Sequence, residues 1–411
     1  MMLSTPQPKL AIIVGGFVNG LGLVRSLSSL NIRMVVITTE PYDIAQYSKH
    51  VHEHHHLSDL DKQTERLAEM LEYRAKDWTG AMILPTNDPA IAGLSLYYER
   101  LSKWYRIVVP PTESVPYVLD KRLMLRAAAE VGIMTPHCYG PATEASAMEQ
   151  QAKYPVVVKA VRAGEFISRF GKKLFQANTQ QELLSCTRLL AKAKIEGQVF
   201  DLIPGADDHI YAYCVYMDKR CIPIAECTIR KLRQSPMSFG IARVAECFPH
   251  IPDLREQTIE FLRHIGFRGF ASVEFKYDPR DSSYRFFEIN GRSVTYNKLL
   301  QLGGLDVAKL AWLDHTEGYT KPVKNRGWNG VWIHLHADIL RSIFDRNKEQ
   351  ISVRDFLRPY CRSKTFAVWS AGDPKPFVAE WWVSVREAVE ALRTGTFRRT
   401  ITTTHVPIEK S

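Results

Sequence analysis

Two glutamates and an asparagine near residue 280 have the types and spacing to hold a hard cation. Glu274 lies in Ser272-Val273-Glu274-Phe275-Lys276, and Glu288 and Asn290 lie in Phe287-Glu288-Ile289-Asn290-Gly291-Arg292. Alternate side chains of an extended strand leave the same face, so Glu288 and Asn290 should point together. The turn Asp278-Pro279-Arg280-Asp281 should fold the preceding strand back antiparallel and bring Glu274 beside them. Carboxylate and amide oxygens suit Mg²⁺, or Mn²⁺ in its place, better than zinc. Two acids held this close repel each other unless a cation lies between them. The competing reading is a surface hairpin with solvated charges, and the apolar neighbours Phe287 and Ile289 weigh against it.

Lys159 ends the apolar run Pro155-Val156-Val157-Val158-Lys159, where its charge must find a partner or water. Lys121 opens a helix. Lysines suit phosphate oxygens, and the loop from Gly164 to Gly171 could fold over such a group with its backbone N–H groups. Taken singly, each lysine also reads as a solvated strand end or helix start. Between Phe200 and Asp208 an apolar strand runs through Asp201, Leu202 and Ile203 into Pro-Gly, then Asp207 and Asp208. Its backbone could meet an adenine base and an acid could meet ribose hydroxyls.

These residues need elements to position them. Lys9–Gly15 reads as a strand, Leu21–Leu30 as a helix after Gly20, and Arg33–Thr38 as a second strand, the start of a parallel α/β layer. Ala81–Leu84 is a third strand, ending at Pro85-Thr86-Asn87-Asp88. Ligands collect at strand ends in such sheets, which makes Asn87 and Asp88 candidates for substrate binding. Pro110–Pro116 reads as a linker and Asp120–Val131 as a helix closed by Gly132. Strands dominate Gln198–Phe275, with one helix at Leu254–His264, and a last helix is expected at Glu380–Arg393.

At 411 residues the chain should form two or three packed units, and 45% hydrophobic with 24% charged residues describes a globular protein. No apolar run reaches about 18 residues, so no membrane insertion is expected. Met1–Pro8 lacks the layout of a signal peptide, which makes the cytoplasm the expected location. Seven scattered cysteines without a C-x-x-C pair read as reduced thiols. The net charge of +10 is spread along the chain rather than gathered into a tract, so it fits anionic small molecules and no nucleic-acid partner is expected. His50, His52, His54, His55 and His56 invite a metal reading, but no carboxylate or cysteine is spaced to complete it, and they read as an ordinary strand. His334 and His336 alternate as on a strand and read as satisfied, partly buried side chains. Trp381 and Trp382 read as packing onto the body rather than as a membrane contact. The Gly15–Gly22 loop departs from the G-x-G-x-x-G spacing of a dinucleotide site.

The order of these signals resembles the ATP-grasp superfamily. Three stretches narrow the resemblance to the carboxylate–amine ligase branch that includes D-aspartate ligase. They are Gly20-Leu21-Gly22-Leu23-Val24-Arg25-Ser26-Leu27, Lys276-Tyr277-Asp278-Pro279-Arg280-Asp281 and Asp373-Pro374-Lys375-Pro376. The resemblance spans about residues 9 to 380. It implies a parallel-sheet α/β layer (1–115), followed by α+β ATP-grasp domains. These would be a subdomain with phosphate-binding lysines (116–195), one with the metal site (196–320), and an extension packed on the body (321–411). It implies that Lys121 and Lys159 contact ATP phosphates, that Asp201 to Ile203 lie near adenine, and that Asp207 or Asp208 binds ribose. Glu274, Glu288 and Asn290 would ligate Mg²⁺, and Arg292 would neutralise an acyl phosphate. Gly291 stands where the family more often has proline, and Asp201 where it often has glutamate; these departures bear on loop and adenine contacts.

The activity so implied joins a small-molecule carboxylate to an amine, with ATP giving ADP and phosphate. Arg230, Lys231 and Arg243 are the basic candidates for holding the acceptor carboxylate. A homodimer is compatible with this reading. The alternatives are another ATP-grasp reaction (carboxylation or phosphorylation), a nicotinamide-dependent oxidoreductase using the Gly15–Gly22 loop, and a nucleotide sensor without turnover.

Overall fold

A computed structural model describes residues 9–393 apart from 150, 162–165, 167–168, 172–173, 236–238, 320 and 345–350. Half of the expected phosphate loop, including Gly164, lies outside the described residues. Three sheets organise the chain.

The first sheet is parallel, with strands β1 (Leu10–Val14), β2 (Arg33–Thr38), β3 (Glu53–His56), β4 (Met82–Pro85) and β5 (Arg106–Ile107) in the order β3-β2-β1-β4-β5. A central parallel strand is covered on both faces, which is why β1 is an unbroken apolar run, buried throughout. Leu10, Ile12 and Val14 join one core; Ala11 and Ile13 join another with the Val18–Leu27 helix. That second core continues into Cys214, Ile229 and Trp332, so the helix wedges the parallel layer onto the largest sheet. Each fully buried aliphatic side chain contributes about 1.5–3 kcal/mol. The helix begins at Val18, three residues earlier than the sequence suggested. Gly20 lies inside it because a Cβ there would collide with the carbonyl oxygen of Gly15.

The second sheet is antiparallel, with β6 (Cys138–Pro141), β7 (Val156–Ala160), β8 (Phe175–Ala177) and β9 (Gly197–Asp201) in the order β6-β9-β7-β8. The Lys121–Glu130 helix precedes it. The Asp120 side chain caps that helix by accepting from Arg122 N at 2.8 Å, which sets Lys121 at the first helical position. The expected linker runs at its end into a short helix, Val115–Leu119.

The third sheet has seven strands. They are β10 (Ile210–Met217), β11 (Pro223–Ser235), β12 (Ile241–Phe248), β13 (Gly269–Asp278), β14 (Ser283–Asn290), β15 (Val331–Ile333) and β16 (Lys364–Phe366), in the order β14-β13-β10-β11-β12-β15-β16. All pairings are antiparallel except β15 with β16. One face is covered by the Lys121–Glu130 and Pro252–His264 helices through Met124, Phe261 and Phe275; the other faces the parallel layer.

Two expectations need correcting. His334 and His336 do not share a strand: His334 follows β15 and His336 lies in the Leu335–Phe344 helix. His50 and His52 precede β3 rather than lying on it, so the five histidines do not share one strand. His52 Nδ1 instead accepts from Met34 N at 3.1 Å, and His55 lies 2.8 Å from Glu53.

Candidate active site

Across the β13–β14 ladder Glu274 stands directly opposite Glu288, and Ser272 opposite Asn290. Directly paired residues share a face, so both acids and the amide project together. The register shifts between Glu274 and Phe275, which leaves Phe287 as the extra residue on β14. Glu274 is 5% exposed, whereas Glu288 and Asn290 are half-buried. Each acid meets a lysine: Lys231 Nζ is 2.5 Å from Glu274 Oε2, and Lys121 Nζ is 3.6 Å from Glu288 Oε1. Oxygen donors from Glu274, Glu288 and Asn290 on one face, two of them partly open to solvent, fit a hard divalent cation.

Lys159 reaches out of the second sheet, its Nζ 5.8 Å from the centre of the Phe287 ring. The second sheet and β14 therefore approach each other here. The apolar wall on the side of the second sheet is the cluster of Val157, Leu174 and Phe200, with Leu202 and Phe239 packed against it. The polar residues beside this wall are largely engaged already. Asp201 accepts from Arg280 Nη2 at 3.1 Å, Leu202 N donates to Pro155 O at 3.3 Å, and Ile203 is buried. Asp207 is buried and accepts from Gln234 N at 2.7 Å and Gln234 Nε2 at 3.0 Å, while Asp208 is exposed. Lys276 ends the Val-Glu-Phe-Lys stretch of β13. It is buried two residues from Glu274, and burial draws its ammonium below the usual lysine value against the pull of Asp207 and Asp278. The strand period of two was the signal that could have found it.

The parallel layer meets the site through the residues after Asn290. Arg292 Nε is 2.6 Å from Asp88 Oδ1. Burial draws the guanidinium down, yet Asp88, Glu288 and Glu274 together hold it above its ordinary value. Asn19 Nδ2 donates to Thr86 O at 2.6 Å and Ser293 O at 3.2 Å, stitching the two layers together. Asn87 is committed elsewhere: its Oδ1 caps the Asp88–Leu96 helix by accepting from Ala90 N, and its Nδ2 donates to Thr39.

The basic candidates divide by face. Lys231 shares the face of Glu274. Arg230 points the other way, bound to Glu246 at 2.6 Å and lying over Phe248, so it does not join the site. Arg243 is buried, 3.4 Å from Asp338. Arg233, the last basic residue of the same Ile229–Arg233 stretch, grips the same Asp338 with two nitrogens, at 2.9 and 2.7 Å. On the last helix Trp381 packs against His336 while Trp382 is exposed. Among the described residues no helix is long and apolar enough to cross a membrane.

Known proteins resemble this chain in sequence over part of its length and in fold. Residues 250–312 match the model for the ATP-binding domain of the carbamoyl-phosphate synthase L chain. The chain is 28% identical over 218 residues to D-aspartate ligase of Enterococcus faecium (strain Aus0004), a match covering 49% of this chain and 52% of that one. It thus spans about half the length of that relative. N5-carboxyaminoimidazole synthetase from Staphylococcus aureus, complexed with ADP, superposes with a TM-score of 0.62 at 15% identity, over 84% of this chain and 88% of that one. L-amino acid ligase from Bacillus licheniformis gives 0.58 at 15% identity, over 76% and 75%. The fold is that of the ATP-grasp enzymes, as the order of motifs implied.

Proposed function

We propose that this ATP-grasp chain is a carboxylate–amine ligase that forms an amide or peptide bond and releases ADP and phosphate. The observation that carries the reading is the Glu274–Glu288 cross-strand pair, with a lysine on each acid and a third lysine over the ring of Phe287. Lys121 and Lys159 hold phosphate oxygens of ATP, and the Val157–Phe200 apolar wall takes the adenine. Asp208, the exposed acid of its pair, is the better placed for ribose. Glu274, Glu288 and Asn290 would hold Mg²⁺, which when bound would supply neutralisation of the charge that develops on the transferring phosphoryl group.

The chain's part in the reaction is positioning and charge stabilisation, and no protein nucleophile is required. The substrate carboxylate attacks the γ-phosphorus and ADP leaves, giving an acyl phosphate whose added negative charge Arg292 offsets. The amine then attacks the acyl carbon, loses a proton, and phosphate departs. Lys231, Arg233 and Arg243, three cations set against Glu274 and Asp338, leave a net positive charge that draws a carboxylate-bearing substrate.

The test is to incubate the protein with ATP, Mg²⁺ and a panel of amino acids, their D-enantiomers and short peptides, and to separate the nucleotides. ADP and phosphate should form with an amine acceptor, and Glu288→Gln should stop them while the protein stays folded. AMP and pyrophosphate as main products would exclude the reading. Turnover driven by bicarbonate without an amine would assign carboxylation instead.

A further inference from the structure

A second group of ligand-forming side chains sits where β15 runs into the Leu335–Phe344 helix. His334 follows the strand, His336 lies in the first turn of the helix, and Glu380 comes from the Lys375–Arg393 helix packed above them. One atom from each lies within 4.8 Å of the others. His334 Nε2 is 2.5 Å and His336 Nδ1 is 3.8 Å from the same oxygen, Glu380 Oε1.

We propose that His334, His336 and Glu380 form a transition-metal site, with zinc the ion that fits it best. A hydrogen-bonded histidine–glutamate pair accounts for His334 alone. It leaves Nδ1 of the second ring turned toward the same carboxylate at 3.8 Å, beyond hydrogen-bond reach. It also leaves Glu380 Oε2 buried with no hydrogen-bond partner, in a side chain that is 8% exposed. A cation answers both. Ligands of a tetrahedral zinc ion stand roughly 3.3 Å apart, between the two separations seen here. Two imidazoles and a carboxylate, with a fourth position for water, are a familiar zinc donor set. Ser384 Oγ is 2.8 Å from His336 Nε2, which engages that nitrogen and leaves Nδ1 facing Glu380. Metal-bound histidines are held by such outer partners. Rings of Phe17, Trp332 and Trp381 pack around the histidines and limit access of water. Nitrogen donors separate this site from the oxygen-only set around Glu274. Its role is to tie the last helix to the large sheet.

The experiment uses untagged full-length protein, stripped with chelator and titrated with zinc against a chromophoric competitor, then with cobalt. One tightly held zinc is expected, with cobalt bands of nitrogen and oxygen ligands. His334→Gln and Glu380→Gln should weaken binding at least about tenfold. His52→Asn with His54→Asn should leave it unchanged. No zinc bound by the wild type overturns the proposal, as does equal affinity in both site variants. A thiolate charge-transfer band in the cobalt spectrum would put the ion on cysteines and also overturns it. If a variant misfolds, the wild-type zinc titration and cobalt spectrum decide alone.

Discussion

Lys231 Nζ lies 2.5 Å from Glu274 Oε2, and the two side chains are only 6% and 7% exposed. Such a pair holds two desolvated charges that each need the other. Removing one partner strands the second, at a cost of about 3–5 kcal/mol, whereas apolar replacement of both is often neutral. Lys231→Met should therefore destabilise the nucleotide-free protein by about that amount in urea denaturation. Adding Glu274→Leu should restore most of the loss without restoring turnover. Additive losses in the double variant would show that the two residues act independently.

Lys159→Ala should weaken ATP binding in the presence of Mg²⁺ by about 10–100-fold, the worth of a charge-assisted hydrogen bond. Lys159 is half-buried at the end of β7, so circular dichroism should be unchanged. Calorimetry with equal affinity in the variant would move the phosphate site elsewhere.

Stability should fall on the acid side of neutrality. Burial holds the His315 imidazole below its ordinary value; Asp314 opposes this, while Lys219 and Arg106 add to it. Between the lowered value and about 6.5 the unfolded chain binds more protons than the folded one, so stability rises with pH in that window. It is lost as pH drops below about 6.5, by at most about 1.4 kcal/mol per pH unit for one group. Thermal melts of His315→Gln should show a shallower slope between about pH 6.5 and pH 5. His50 and His336, also lowered chiefly by burial, act with the same sign, so the slope should shrink without vanishing.

Gly15→Ala should destabilise by about 2–4 kcal/mol. Gly15 has φ +94°, and a Cβ there would collide with the Thr86 hydroxyl that closes onto Val14 O. A shift in denaturation midpoint of less than a fifth of the wild-type value would mean that the β1 turn yields easily.

The sequence disclosed which candidate residues stand together where their spacing follows strand periodicity. Glu274, Glu288 and Asn290 were readable because two strands and a turn leave few ways to pair them, and the register bears this out. Lys276 was as readable by the same period and was passed over. Arg230 was misjudged because alternation along β11 gives neighbours opposite faces, and nothing in the sequence tells which neighbour faces inward. The Asp207–Gln234 and Arg233–Asp338 contacts join residues 27 and 105 positions apart, beyond the reach of local pattern. The meeting of His334, His336 and Glu380 depends on where the last helix docks, which propensity does not specify.

Strand β12 owes its outer neighbour to residues far along the chain: β15 bonds to it through Val244, Ala245 and Glu246, and β16 covers β15 in turn. A chain stopped near residue 320 would leave β12 as an open edge, with unpaired N–H and C=O groups beside the buried Val244. Bare edges of this kind recruit strands from other molecules. The short β15 and β16 strands thus act as a guard against edge-to-edge aggregation. A fragment kept only for its nucleotide-binding residues would tend to self-associate, however complete its site.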